Sequence, residues 1–176
     1  GTTGDPKGVM LTHGNVLSNV VAACEAVPVR PSYRLLSLMP LSHMMEQTGG
    51  LLVPLNSGAM VVYPVSRQPT VIFKTLRKNR VTNIVLVPQV LQLFMNGIER
   101  EVSARGKDRQ WNVLQRVASH LPTVGRRLLF RPVHRQMGGH IKFFMSGGAY
   151  LDPELQQKWA TLGIPVIQGY GATEAS

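Results

Sequence analysis

Four short stretches of this 176-residue chain combine residue types that could handle a phosphorylated ligand. The first is residues 1–8, where glycine backbone N–H groups and threonine hydroxyls would donate to an anion and Lys7 would add a mobile positive charge. A Walker-type loop ends in Gly-Lys followed by Ser or Thr, whereas here Pro6 precedes Lys7 and Gly8 follows it. The pattern therefore predicts a phosphate loop of another type, and an ordinary turn is the alternative.

The second stretch, residues 146–149, places a glycine pair directly after the apolar segment 141–145. Open α/β sheets bind ligands at the carboxyl ends of their parallel strands. Gly147 and Gly148 would leave room there for a flat group against the backbone. A tight turn between a strand and a helix explains the same residues without any ligand.

The third stretch, residues 168–174, also follows an apolar segment. Tyr170 stands between two glycines and would stack on a base, and Thr173 would donate to a phosphate. Glu174 is an oxygen ligand of the kind that Mg²⁺ takes when the ion also holds waters and phosphates. One acid is too few for a dedicated metal site without a nucleotide, so a glycine-rich turn with a solvated acid stays open.

The fourth stretch, residues 40–46, carries His43 at the start of a predicted helix that follows a strand. A lone histidine in an apolar setting is more often structural than functional. The other four histidines show no ligand spacing with one another, and no role is assigned to them.

The elements that would position these stretches alternate between strand and helix. Apolar and β-branched runs predict strands at 35–38, 59–63, 83–87, 141–145 and 166–168. Amphipathic or capped segments predict helices at 15–27, 44–55, 70–79, 89–102 and 153–162. This alternation favours an α/β fold with an open, mostly parallel sheet flanked by helices. A helical insertion is predicted around 105–139, where no strand pattern occurs.

The amino-acid composition excludes several classes of protein. Cys24 is the only cysteine, which excludes an intrachain disulfide framework and a cysteine-based zinc site; its apolar neighbours predict a buried position. Apolar content of 44% argues against disorder, and no apolar run reaches the length of a membrane span.

The net charge of +10 is uneven, because the segment 97–142 holds ten Lys and Arg residues against three acids. A solvated helical face explains this segment. A surface that binds phosphorylated ligands or a membrane explains it as well. A surface for nucleic acid is the least favoured explanation, because no aromatic residues are interleaved with the basic ones.

In this order along the chain, the four stretches resemble the motifs of the adenylate-forming, or AMP-binding, enzymes. Residues 1–8 resemble that family's phosphate loop without its first residues, and 169–174 match its Tyr-Gly-x-Thr-Glu motif. Residues 146–149 match its Gly-Gly-Ala turn and 40–43 its Pro-Leu-x-His element. Within the family, 41–46 and the segment 126–134 are most similar to bacterial long-chain fatty acyl-CoA synthetases. Tyr150 departs from the pattern, since proline is usual after Gly-Gly-Ala.

The resemblance implies a two-step reaction, in which ATP and a fatty acid give acyl-AMP and CoA then takes the acyl group. The catalytic residues that it implies are Lys7, His43, Thr173 and Glu174, with Glu174 binding Mg²⁺ and His43 beside the carboxylate. The nucleotide-binding residues that it implies are Thr2, Thr3, Gly4, Lys7, Gly147, Gly148, Ala149, Gln168, Gly169, Tyr170, Gly171 and Thr173. ATP, fatty acid and CoA are the expected partners, and nucleic acid is not.

Two alternatives remain: an enzyme that adenylates another acid or uses a carrier-protein acceptor, and a nucleotide- or anion-binding module without catalysis. Residues 1–176 are expected to be part of an AMP-binding domain truncated at both ends, without the C-terminal lid domain, and inactive or weak alone. The expected location is cytoplasmic. Residues 123–137 suggest peripheral association with the inner membrane face, with Leu128, Leu129, Phe130 and Val133 toward lipid and Arg127, Arg131 and Arg135 at headgroups.

Overall fold

A computed structural model describes residues 8–175 of the chain. It contains five strands: β1 (Arg34–Ser37), β2 (Met60–Val62), β3 (Asn83–Leu86), β4 (Phe143–Ser146) and β5 (Val166–Gln168). The α-helices are α1 (His13–Ala26), α2 (Val53–Asn56), α3 (Pro69–Asn79), α4 (Pro88–Ala104), α5 (Asp108–Ser119), α6 (Thr123–Leu129), α7 (Arg131–Gln136) and α8 (Pro153–Thr161). A π-helix (Glu46–Leu52) precedes α2, and a 3₁₀ turn (Thr173–Ala175) follows β5.

The five strands form one parallel sheet in the order β2-β1-β3-β4-β5. Parallel strands need crossover connections, and here helices supply them, as the alternating pattern predicts. The prediction of an α/β fold with an open parallel sheet is confirmed. Because all strands run the same way, their carboxyl ends meet at one edge of the sheet.

Local sequence explains where two of the helices begin. The Thr12 hydroxyl accepts a hydrogen bond from the Asn15 backbone N–H at 3.1 Å, and the Asn15 side chain accepts one from the Thr12 N–H at 3.0 Å. This reciprocal cap opens α1. At α8, Asp152 accepts from the Glu154 N–H at 3.0 Å and Pro153 occupies the first turn, where its missing N–H costs nothing.

The main hydrophobic core lies between one face of the sheet and the helices α3 to α8. Residues of β3 and β4 alternate between the two faces, so that Ile84 and Phe144 point into this core. Trp159 of α8 meets Phe144 edge-on, with ring centroids 5.0 Å apart. A smaller cluster on the opposite face contains Tyr33 and Leu35, and α1, the π-helix and α2 pack on that side.

The predicted helical insertion around 105–139 is confirmed, since α5, α6 and α7 follow α4 with no strand between β3 and β4 in the described chain. Arg126 and Arg127 hold this insertion against the rest of the fold. Arg126 donates to the backbone carbonyls of Leu121 and Ala160 at 2.8 and 3.0 Å. Arg127 donates to the carbonyls of Ile141 and Gly163 at 2.8 and 3.2 Å. Part of the basic charge of this segment is therefore structural.

The lipid-facing surface predicted for 123–137 is wrong in its main residues. The helix is interrupted at Phe130, between α6 and α7, and the change of direction there turns Phe130 and Val133 into the core, where they are 2% and 9% exposed. Arg127 is engaged by the backbone carbonyls instead of facing outward. Of the four apolar residues named, Leu128 alone is largely exposed, at 68%. No helix that the structure describes is long and apolar enough to cross a membrane.

The helix predicted at 44–55 is confirmed as a continuous helical segment over 44–56, although its middle is a π-helix and its last turn is α2. One further expectation needs correction. Cys24 is half-buried instead of buried, and its Sγ accepts a hydrogen bond from the Asn56 side chain at 3.5 Å.

Candidate active site at the carboxyl ends of the strands

The order of the strands creates a crevice between β1 and β3. From β1 the chain first adds β2 on one side and then β3 on the other, so the connections after β1 and β3 leave the sheet in opposite directions. Such a switch point, at the carboxyl ends of the strands, is where open α/β sheets bind ligands. The loop that leaves β1 here carries His43, and the π-helix after it packs on both strands.

The turn after β4 and the loop after β5 lie side by side at the same edge. The Gly169 backbone N–H donates to the Ser146 carbonyl at 2.8 Å, which extends the ladder between the two strands by one residue. Gly147 is buried, while Gly148, with a φ of +77°, and Ala149 are exposed. The structure thus brings the second and third sequence stretches together, with exposed backbone on both.

Gly147 is the point where these loops meet the segment after β1. A Cβ at Gly147 would lie 2.9 Å from the Met45 sulfur and 3.0 Å from the Gly169 carbonyl oxygen. A side chain here would force the Met45 side chain to move and the backbone at Gly169 to shift slightly, so the packing favours glycine. Met45 comes two residues after His43, and the fourth stretch therefore joins the other two at this edge.

His43 lies on an exposed turn that is fixed by local hydrogen bonds. Its backbone N–H donates to the Pro40 carbonyl at 3.0 Å, and its own carbonyl accepts from the N–H groups of Glu46 and Gln47, each at 3.0 Å. The Gln47 side chain also donates to the Leu41 carbonyl at 2.7 Å. The imidazole is exposed and free to meet a ligand at the carboxyl edge.

The residues after β5 are presented to solvent. Gln168, Gly169, Tyr170 and Gly171 are exposed, and Thr173 and Glu174 lie on the 3₁₀ turn, also exposed. No group of three His, Cys, Asp or Glu residues suited to a metal ion occurs among residues 8–175. One exposed carboxylate fits a Mg²⁺ that reaches the site with a nucleotide, and it does not fit a cage built from protein ligands alone.

Four of the predicted site residues, Thr2, Thr3, Gly4 and Lys7, lie outside the described residues. Their assignment to phosphate stays a prediction. The described chain begins at Gly8, and from there it leads through Thr12 into α1.

One buried acid at this edge was not predicted as a site residue. Glu46 is 0% exposed, and burial raises the pKa of its carboxyl group. Neither oxygen of this carboxyl group has a hydrogen-bond partner within residues 8–175. The sequence feature that could have indicated this buried acid is its position between the apolar pair Met44 and Met45 and the two glycines Gly49 and Gly50.

Two shallow cavities lie away from this edge. One, of about 400 Å³, is lined by residues of α4, α5 and α8, among them Trp111 and the ion-paired Glu99 and Lys158. The other, of about 470 Å³, lies along α6 and α7 beside Leu128 and Arg131. Neither contains any of the predicted site residues.

The fold and the edge just described define an α/β protein that presents glycine turns and polar side chains at the carboxyl ends of parallel strands. Comparison with known protein families identifies the family within this class. The chain belongs to the family of AMP-binding enzymes, whose family model matches residues 1–176.

Individual relatives agree with the family. The peroxisomal long chain acyl-CoA synthetase 6 of Arabidopsis thaliana is 30% identical over 186 residues, which cover 100% of this chain and 26% of the relative. Fatty acyl-CoA synthetase A of Dictyostelium discoideum is 31% identical, covering 99% of this chain and 27% of the relative. The chain thus spans about a quarter of the length of these curated relatives.

A solved structure supports the fold. The inhibitor-bound N-terminal domain of FACL13 from Mycobacterium tuberculosis superposes with a TM-score of 0.70 at 24% identity. The match covers 99% of this chain and 35% of that domain. This chain and that solved domain therefore share a fold.

Proposed function

We propose that this chain is the nucleotide-binding part of a ligase that activates a long-chain fatty acid as acyl-AMP and transfers the acyl group to CoA. The observation that carries the proposal is the meeting of three motifs at one edge: Met45 of the His43 segment packs on Gly147, and Gly147 packs on Gly169. The curated relatives, which are named as acyl-CoA synthetases, support the choice of substrate.

In this proposal the two glycine loops hold the nucleotide base. Gly147, Gly148 and Ala149 form one side, with backbone that a flat ring can approach closely. Tyr170 is fully exposed and would stack on the ring, while Gln168, Gly169 and Gly171 line the other side. Thr173, one turn further, would donate to the α-phosphate.

The polyphosphate and the acid would meet at the same edge. Thr2, Thr3, Gly4 and Lys7 would hold the outer phosphates, and Glu174 would hold Mg²⁺, which when bound supplies positive charge to the phosphates. His43 would lie beside the fatty-acid carboxylate. The task of these groups is to bring one anion to another, so positioning and charge screening account for most of the rate.

The proposal also covers which part of such a ligase residues 1–176 form. Residues 1–176 would be a part of the large domain without its C-terminal lid, and alone they would be weak or inactive in thioester formation. Peripheral membrane contact through Phe130 and Val133 is not included, because both side chains are buried.

Acid-dependent ATP–pyrophosphate exchange by the protein with its flanking sequence tests the proposal. Acids from acetate to stearate and one aryl acid would be compared. Exchange that peaks on long chains, followed by release of acyl-CoA, is the expected result. A maximum on another acid, or transfer to a carrier protein instead of CoA, would favour a different adenylating enzyme. MgATP binding without exchange on any acid would favour a binding module.

A further inference from the structure

The basic segment 97–142 contains two arginines to which neither the fold nor the proposed function gives a role. Arg126 and Arg127 of this segment are structural, because their guanidinium groups donate to backbone carbonyls. Arg131 and Arg135 are exposed, and the ion pairs within residues 8–175 involve other side chains. These two arginines therefore carry positive charge that the described chain does not neutralise.

Both of them line a shallow cavity of about 470 Å³ along α6 and α7. They are four residues apart on α7, so their side chains lie on the same side of the helix. On α6 the same spacing brings Val124, Arg127 and Leu128 to the cavity. Three arginines and no acid line it, and we call it the arginine cavity. A concave surface of one charge sign attracts ligands of the opposite sign.

Two side chains of the arginine cavity are held in place by hydrogen bonds. Arg127 donates to the carbonyls of Ile141 and Gly163 at 2.8 and 3.2 Å. His134, which is 6% exposed, is bonded through Nε2 to the Leu162 carbonyl at 2.7 Å. The base of the cavity is therefore formed before any ligand arrives, which lowers the entropy cost of binding.

The arginine cavity lies away from the candidate active site. Ile141 and Gly163, on which Arg127 is anchored, precede the amino ends of β4 and β5. The glycine turns of the candidate site follow the carboxyl ends of the same two strands. In a parallel sheet these ends lie at opposite edges. A ligand of the arginine cavity is therefore separate from the nucleotide and the acid of the proposed function, and the inference does not depend on that function.

The charge and the rim of the cavity define the chemistry of its ligand. Guanidinium groups pair with phosphate through two parallel hydrogen bonds. A phosphate monoester carries a charge of about −1.5 to −2 at pH 7, so it gains more from several arginines than a singly charged anion does. Val124 and Leu128 are 70% and 68% exposed and give the cavity an apolar rim. No aromatic side chain lines it for the stacking of nucleic-acid bases.

We propose that the arginine cavity binds the phosphate group of a monoester that carries an apolar chain. Arg131 and Arg135 pair with the phosphate, and Val124 and Leu128 cover the start of the chain. Arg127 adds positive charge from the base of the cavity. A soluble phosphorylated amphiphile and the headgroup of phosphatidic acid in a membrane share this chemistry, and the experiment distinguishes the two sources.

Calorimetric titration of the protein with its flanking sequence tests the proposal, with AMP present to occupy the nucleotide site. Hexyl phosphate is the probe. Hexyl sulfate has the same chain and a tetrahedral head with a single charge, and inorganic phosphate lacks the chain. Hexyl phosphate should bind at least about threefold more tightly than either. Hydrogen–deuterium exchange with bound hexyl phosphate should show protection within residues 124–139.

Variants separate the cavity from the net charge of the chain. Arg131→Gln combined with Arg135→Gln should weaken the binding of hexyl phosphate about tenfold or more. Arg109→Gln combined with Arg116→Gln removes the same charge from exposed positions on α5 and should change binding by less than about threefold. Leu128→Glu places an acid at the rim and should also weaken binding about tenfold. All five side chains replaced are exposed, so the fold should stay intact.

Cosedimentation with vesicles identifies the source of the phosphate. The vesicles consist of phosphatidylcholine with or without phosphatidic acid. Sedimentation that requires phosphatidic acid, and that is lost when Arg131 and Arg135 are replaced, would assign the phosphate to a lipid headgroup. Binding of hexyl phosphate without sedimentation would assign it to a soluble molecule. Either result supports a phosphate site in the arginine cavity.

Four results would overturn the proposal. The first is the absence of saturable hexyl phosphate binding by the folded wild-type protein. Equal weakening in the two double variants would mean that the net charge of the chain attracts the probe. Equal affinity for hexyl sulfate would mean that the cavity takes anionic amphiphiles in general. Protection confined to residues outside 124–139 would place the ligand elsewhere.

Discussion

Gly147 lies wedged between Met45 and Gly169, so that a Cβ at this position would be 2.9 Å from the Met45 sulfur and 3.0 Å from the Gly169 carbonyl oxygen. Three segments that are far apart in the sequence converge on this one residue. The absence of a side chain at position 147 lets the three segments approach one another this closely.

The first prediction is that Gly147→Ala destabilises the fold and weakens ATP binding. The added methyl group forces either Met45 or the backbone at Gly169 to move, which costs about 1–3 kcal/mol of unfolding free energy. Urea unfolding and MgATP titration measure the two effects. Gly169→Ala is the matched control at the same edge, since the nearest atom to its Cβ, the Ser146 carbonyl oxygen, is 4.0 Å away. Equal stability losses in both variants would contradict the packing argument.

The second prediction concerns two adjacent glycines after α7. Gly138 and Gly139 both have positive φ, of +92° and +76°, so alanine strains the backbone at either position. At Gly138 a Cβ would also lie 2.9 Å from the Leu76 carbonyl oxygen, whereas at Gly139 nothing lies within 4 Å. Gly138→Ala should therefore lower the free energy of unfolding more than Gly139→Ala, by about 1–3 kcal/mol. Denaturant midpoints that coincide would refute this.

The third prediction is a loss of stability in acid that depends on His134. Its Nε2 donates to the Leu162 carbonyl at 2.7 Å, its side chain is 6% exposed, and burial lowers its pKa below the ordinary 6.5. The unfolded chain therefore takes up a proton before the folded chain does. Stability from this group is complete above pH 6.5 and is lost as the pH falls toward the lower folded pKa.

Unfolding free energies measured from pH 7.5 down to about pH 5 test this prediction. His134→Gln should show a shallower decline in this range, because the amide does not titrate. The exposed His120, replaced in the same way, serves as the control and should leave the slope as in the wild type. A wild-type slope retained in His134→Gln would assign the decline to other groups.

The fourth prediction separates structural from surface arginines. Arg126→Met leaves the Leu121 carbonyl without its guanidinium donor and leaves the Ala160 carbonyl with the Gly163 N–H alone, which should cost about 1–3 kcal/mol of unfolding free energy. Arg131→Met removes the same charge from an exposed position and should change stability by less than about 0.5 kcal/mol. Thermal and urea unfolding of both variants gives the comparison, and similar losses would mean that net charge, not hydrogen bonding, is responsible.

The fifth prediction tests the proposed metal ligand. Glu174→Gln keeps the size of the side chain and removes its charge, so pyrophosphate exchange should fall about tenfold or more at low Mg²⁺. Because Glu174 is exposed, the fold should stay intact. The measurement is the exchange rate as a function of Mg²⁺ concentration. A variant with the wild-type dependence on Mg²⁺ would remove Glu174 from the metal site.

Most of the fold could be predicted because its signals are local. Asp152 followed by Pro153 marked the start of α8, and the strand predicted at 166–168 is β5 itself. The two glycine loops were predicted at the correct edge, because an apolar strand ends immediately before each of them. Parallel strands then place these loops together without any knowledge of long-range contacts.

The parts that were missed depend on contacts between distant residues. Glu46 is buried because the π-helix that it begins packs on β1 and β3, and a charged residue in a short motif gives no sign of this. Phe130 was expected at a lipid surface, but the break between α6 and α7 turns it against Trp111, with ring centroids 5.2 Å apart. Arg127 was counted as surface charge, although its partners at Ile141 and Gly163 come later in the chain.

The strand order also has a consequence for biosynthesis. All four residues of β3 are buried, and one of its two neighbours in the sheet is β4, which leaves the ribosome only after α4 to α7 have been made. Until then the nascent chain exposes an unpaired apolar strand edge, the kind of surface that promotes aggregation and that chaperones bind. Translation of the helical insertion is therefore an interval in which β3 lacks one of its two partners and the nascent chain is vulnerable to misfolding.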